Sequence, residues 1–121
     1  MKYYELFPKP TTNKKRKKTN GWKDKPYRYC YYCGTPYAER HEVYGGPNRQ
    51  ISIDFGFQVD LCHNCHEAWH RQDKVIWQER KLEWQQKYQR EYEENLIAEG
   101  NTKEQARRCW FGLIGKNYLD E

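Results

Sequence analysis

Cys62-His63-Asn64-Cys65-His66-Glu67-Ala68-Trp69-His70 packs two metal-ligand patterns into nine residues. The first is a Cys-x2-Cys pair, in which two intervening residues let a tight turn aim both sulfurs at one ion. The second is His-x3-His, two imidazoles on one face of one helical turn. A matching pair, Cys30-Tyr31-Tyr32-Cys33, lies 28 residues upstream. Two such turns complete a tetrahedron of Cys30, Cys33, Cys62 and Cys65 around a structural Zn²⁺. The competing reading, two disulfides, needs an oxidising compartment, and residues 1–10 hold no apolar leader that would point to one. The fifth cysteine, Cys109, stands beside Trp110 and Phe111 and reads as a small buried hydrophobe.

Composition explains why a staple is needed. The chain has 121 residues, 36% of them hydrophobic and 32% charged. Val, Ile, Leu and Phe together make up about 15%, below the roughly 20% at which disorder becomes a live alternative. Aromatic residues reach 17%, including 11 Tyr and 5 Trp, so an aromatic core held by metal is the expected solution. No apolar run approaches the roughly 18 residues of a membrane span.

Charge divides the chain. Residues 1–28 hold ten basic groups against two acids, a net of +8, while the formal charge of the whole is +5. This segment reads as a flexible basic arm. Its run Lys14-Lys15-Arg16-Lys17-Lys18 suits phosphate neutralisation without sequence preference, or simply a solubilising tail. Residues 29–72 read as the zinc-knuckle core and 73–121 as a helical extension. In the core, Tyr37–Tyr44 is an expected strand. The alternation Ile51, Ile53, Phe55, Phe57, Val59, Leu61 also favours a strand. Gly56 interrupts it, leaving Phe57–Leu61 as the firmest part and residues 49–55 ambiguous. With no Pro or Gly between them, residues 66–99 read as one long helix. Its stripe Trp77, Trp84, Tyr88 and Tyr92 would pack on the domain, a partner or a second copy. Gly100 ends it, and Thr102-Lys103-Glu104-Gln105 is a capping box opening a short final helix to about Phe111.

All four histidines lie between residues 41 and 70. A hairpin carrying Arg40-His41-Glu42 sits between the knuckles, and one zinc joining the knuckles would bring it back beside the helix. His41 then becomes a third ligand with His66 and His70. Three protein ligands with an open position describe a catalytic ion. His63, inside the second knuckle, is expected to face solvent.

The order knuckle, His41-Glu42-Val43-Tyr44-Gly45-Gly46-Pro47-Asn48-Arg49, strand, Leu-Cys-x2-Cys-His-x3-His, helix resembles the HNH endonuclease superfamily, and more narrowly its small phage- and prophage-encoded members. The likeness covers residues 30–70. The closing Phe111–Leu119 also looks like the tails of those phage proteins. The resemblance implies a small α+β fold, a zinc-stapled ββα-metal core, followed here by the long helix and the short one. It also implies a second divalent ion (Mg²⁺, Mn²⁺, Ni²⁺ or Zn²⁺) holding the scissile phosphate. By position His41 matches a metal ligand, His66 and His70 match the helix ligands, and Asn48 is the candidate loop brace. The family's general-base His falls at Glu42, which is a departure. Glu42 then activates water, or Glu42 ligates the ion and His41 is the base, or catalysis is lost; Glu42 as a plain solvated strand residue is the fourth reading.

Two functions follow. One is a DNA endonuclease of low sequence specificity, with the arm and Arg49 holding phosphates. The other is a catalytically silent zinc module that binds nucleic acid or a protein, with the aromatic stripe as the contact. The expected location is the cytoplasm of a bacterial host.

Overall fold

The computed structural model describes residues 22–120. The run Lys14–Lys18 therefore lies outside the described residues. Residues 22–28, expected in the arm, carry a 3-10 turn over Trp22–Tyr27 and a buried Arg28. Arg28 donates to the carbonyl of Ala38 (Nη2 to O, 3.2 Å), so the folded body begins before the first knuckle.

Two strands, β1 (Glu39–Glu42) and β2 (Gln58–Leu61), pair antiparallel, with Glu39 opposite Leu61 and His41 opposite Val59. The connection between them is a helix, α1 (Arg49–Phe55), after a 3-10 turn at Gly46–Asn48. The period-two pattern of residues 51–55 is thus not a strand. Ser52 explains the change: its buried hydroxyl accepts from the Tyr44 amide (3.1 Å) and donates to the Tyr44 carbonyl (2.8 Å). Those bonds satisfy the backbone that a longer ladder would have paired. Ile51 and Phe55 are then i,i+4 neighbours packed against the core, and Gly56 ends the helix at φ 76°, a conformation glycine adopts without steric cost.

The expected single helix is two. The first, α2 (His63–Arg71), ends at Gln72, and α3 (Val75–Ala98) follows. Gln72 stands at φ 56° and caps the break with its own side chain, donating to the carbonyls of Trp69 (2.7 Å) and Trp77 (3.3 Å). Gln78 returns a bond to the Gln72 carbonyl (2.9 Å). At 1.5 Å per residue α3 spans about 36 Å, not the ~50 Å of an unbroken helix.

The aromatic stripe of α3 faces the chain's own core. Trp77 meets Tyr32 edge-on at 5.2 Å, and Trp84 Nε1 donates to the Tyr32 hydroxyl (2.8 Å). The Tyr88 hydroxyl donates to the Gln58 carbonyl (2.7 Å), and Tyr92 meets Trp110 at 5.5 Å. Trp110 belongs to α4 (Lys103–Leu113), whose Thr102–Gln105 capping box forms as expected. It is fully buried among Tyr44, Phe57 and Tyr92, and its Nε1 donates to the Lys116 carbonyl. Cys109 is buried beside it. The closing segment folds back through a buried polar knot: Gln89 donates to Glu93 and to Asn117 (2.8 Å each) and accepts the Tyr118 amide (2.8 Å). No helix among the described residues is long and apolar enough to cross a membrane.

Candidate metal centres

The four knuckle cysteines converge. Each thiol sulfur lies within 4.8 Å of the others, and Cys33 and Cys62 are 3.5 Å apart. A disulfide needs about 2.05 Å, which this spacing excludes, and none of the cysteines is bridged. The edge of a tetrahedron built on Zn–S bonds of about 2.3 Å is about 3.8 Å, and the cluster fits that scale. Local structure places each sulfur. Gly34, at φ 74°, closes the first turn by donating its amide to the Cys30 carbonyl (2.9 Å), and Cys30 in turn donates its amide to the Thr35 carbonyl (2.9 Å). Cys62 caps α2, its sulfur accepting the Cys65 amide. Hydrogen bonds to Thr35 hold the exposed Cys33 thiol down to about 6. Burial pushes Cys62 and Cys65 up, and a cation bound between the sulfurs would ionise them.

A second cluster joins His41, His66 and His70, whose ligand nitrogens lie within 4.8 Å of one another. The ring centroids of His41 are 4.3 Å from His66 and 5.1 Å from His70. His41 projects from β1 onto α2 and is 4% exposed, with its Nε2 buried and making no hydrogen bond. Burial, then the charges of His66, His70 and Lys81, pull it down to about 3. His70 is likewise lowered, first by burial. Neutral imidazoles are what a metal requires. His66 Nδ1 lies 2.8 Å from the Glu39 carboxylate, itself held below its ordinary range by that bond. A carboxylate bonded to one ring nitrogen is the orienting arrangement common behind metal-bound histidines. The three imidazoles are spaced so that they could hold one metal ion between them.

The cluster floors a cleft of about 650 Å³. Glu42 and Arg49 line it as well, but Glu42 does not join the converging ligand atoms. One Glu42 oxygen lies 3.4 Å from Arg49 Nε, and the other accepts from Gln58 Nε2 at 3.3 Å. Asn48, the candidate loop brace, donates to the Ile114 carbonyl (2.9 Å), which ties the cleft's rim to the C-terminal segment. His63 is exposed, as expected, with its Nε2 3.1 Å from a Glu67 carboxylate oxygen. Sequence reasoning missed Glu39, two residues before His41 and therefore on its strand face. It also missed the far wall, made by Lys81, Gln85 and Tyr118. No family model matches this chain, and neither curated proteins nor solved structures give a match.

Proposed function

We propose that the protein is a metal-dependent phosphodiesterase that nicks or cuts DNA, of HNH type, with Zn²⁺ on its four cysteines. The observation that carries this reading is the buried, unpartnered Nε2 of His41 beside His66 and His70. A buried polar atom without a hydrogen bond costs about 1–3 kcal/mol, and a bound cation removes that cost. A divalent ion held there supplies Lewis-acid stabilisation of the phosphate's developing charge. Glu42 stands at the cleft beside the ligand His41 and takes the proton from the attacking water. Arg49, largely exposed and 3.4 Å from Glu42, is free to swing onto a phosphate oxygen, which releases the carboxylate for that task.

The second reading, a zinc module that binds without cutting, draws support from the same pair, since a carboxylate held by Arg49 and Gln58 has a structural use of its own. Plasmid nicking with Mg²⁺, Mn²⁺, Ni²⁺ and Zn²⁺ separates the two. Under the first reading His66→Ala or His70→Ala abolishes cleavage and leaves the cysteine zinc in place. Glu42→Gln then lowers the rate by about 10²–10⁴-fold. If wild type cuts with no metal while Glu42→His does, the native chain is a binding module. A Glu42→Gln variant as fast as wild type would place the base elsewhere.

A further inference from the structure

The wall facing the histidines has no part in either metal centre. It is made by Lys81 and Gln85, one turn apart on α3, and by Tyr118 of the C-terminal segment. Lys81 is half-buried and forms no ion pair with any described residue. The Gln85 side-chain amide and the Tyr118 hydroxyl likewise make no hydrogen bond to a described residue. Three residues with donor side chains therefore line one cleft with no described acceptor for those donors. Their backbones, by contrast, are fixed. The Tyr44 hydroxyl donates to the Gln85 carbonyl (2.5 Å), Gln86 donates to the Tyr118 carbonyl (2.9 Å), and the Tyr118 amide donates to Gln89 (2.8 Å). An ammonium, an amide and a phenol held on a rigid wall form a preorganised site for an oxyanion.

We infer that Lys81, with Gln85 and Tyr118, forms an anion subsite that grips a phosphodiester of a nucleic-acid strand across the cleft from His41, His66 and His70. The inference deepens the phosphodiesterase reading and rests on it for the identity of the anion. A strand lying between the walls would be held at two points, and its scissile group could not rotate away. Lys81, which lines the same cleft as the three histidines, is then a substrate-touching residue.

The test uses the full chain with its cysteine zinc and a fluorescent single-stranded oligonucleotide, followed by anisotropy across a salt series with no second ion added. Lys81→Met should weaken binding about 3–10-fold at low salt and reduce the log–log salt slope by about 0.7, one phosphate on a single strand. Lys81→Arg should restore both. Cobalt(II) uptake, read by its visible absorption, should be unchanged or a few-fold tighter in Lys81→Met, because a like charge has left the neighbourhood of the ion. An unchanged affinity and slope in Lys81→Met would overturn the inference. So would loss of cobalt uptake in that variant, since Lys81 would then be maintaining the histidine cluster. Failure of wild type to take up cobalt at the histidines would instead strike the phosphodiesterase reading, and the anisotropy comparison would still decide the subsite.

Discussion

Replacing His41 by Leu, in protein that keeps its cysteine zinc but carries no second ion, should stabilise the chain, and more so in acid. Two contributions add. The imidazole is almost fully buried with an unbonded Nε2, and removing such a group recovers about 1–3 kcal/mol. Leu is close to His in volume, so repacking against Trp69 and Val59 returns less than about 1.5 kcal/mol of that. The second contribution is titration. Folded His41 protonates at about 3 and the unfolded side chain at its ordinary 6.5. The unfolded state therefore binds the proton first as pH falls. Stability is whole above pH 6.5 and drains away down to pH 3, with a deficit of about 2 kcal/mol at pH 5 and almost none at pH 8. His70 drains in the same direction but is present in both proteins, so the difference isolates His41. Urea unfolding followed by tryptophan fluorescence at pH 8 and pH 5 gives the measurement. The advantage of His41→Leu should widen by about 2 kcal/mol between the two. Adding Ni²⁺ or Co²⁺ at pH 8 should then reverse the order. Wild type gains about 2.7 kcal/mol at a hundredfold excess over the dissociation constant, and the variant gains nothing. A variant less stable than wild type at both pH values, or one that still responds to the ion, would refute the reasoning.

Zinc should be found at one tightly held ion per chain. Its removal by chelation, or Cys62→Ser, should abolish Co²⁺ uptake at the histidines together with the cooperative melt, as metal analysis and calorimetry would show. Deleting residues 1–21 removes a net +6 of charge. It should weaken DNA binding and flatten its salt dependence while circular dichroism stays unchanged; an unaltered salt slope would make the arm a solubilising tail. Tyr37 holds φ 66° and the residue is 62% exposed, so Tyr37→Gly should raise stability by up to about 1 kcal/mol. Tyr37→Val should lower it, and a denaturant midpoint decides both.

The parts of the molecule legible in sequence are those governed by local spacing. Cys-x2-Cys, His-x3-His and the Thr102 capping box are each one turn of chain, and one turn has few ways to form. His41 was legible at longer range only because the paired knuckles must return the hairpin to the helix. The elements left ambiguous or misread share another cause. Residues 51–55 alternate in hydrophobicity, but Ile51 and Phe55 are also four apart, and Ser52 bonding to Tyr44 decides for helix. The break at Gln72 has no Pro or Gly to announce it. A glutamine takes the left-handed turn there because its side chain replaces the lost backbone bonds. That break aims α3, so Lys81 and the far wall were out of reach of any reading that carried one straight helix from His66 to Glu99.

The two centres share one scaffold, and this bears on why a chain so poor in aliphatic residues can hold three imidazoles together. Cys62 and Cys65 bracket the first turn of α2, and the His66 amide donates to the Cys62 carbonyl (2.8 Å). The Tyr31 amide donates to Asp60 of β2 (2.9 Å), which stitches the first knuckle to the hairpin that bears His41 and Glu39. Tyr32, between the zinc cysteines, is also the seat of α3: Trp77 and Trp84 bear on it, and the Arg80 guanidinium lies 4.1 Å above its ring. Fixing four sulfurs thus sets the angle between β1 and α2, which decides whether the histidines converge. It also sets the distance from that cluster to α3, which carries Lys81. An aliphatic core would position these elements through many weak contacts, each tolerant of small slips. Metal–sulfur bonds confine the slip to tenths of an ångström at a single point. With zinc bound there, both walls of the cleft would be measured from that point, and the proposed second ion and phosphate would meet a cleft whose width is already set.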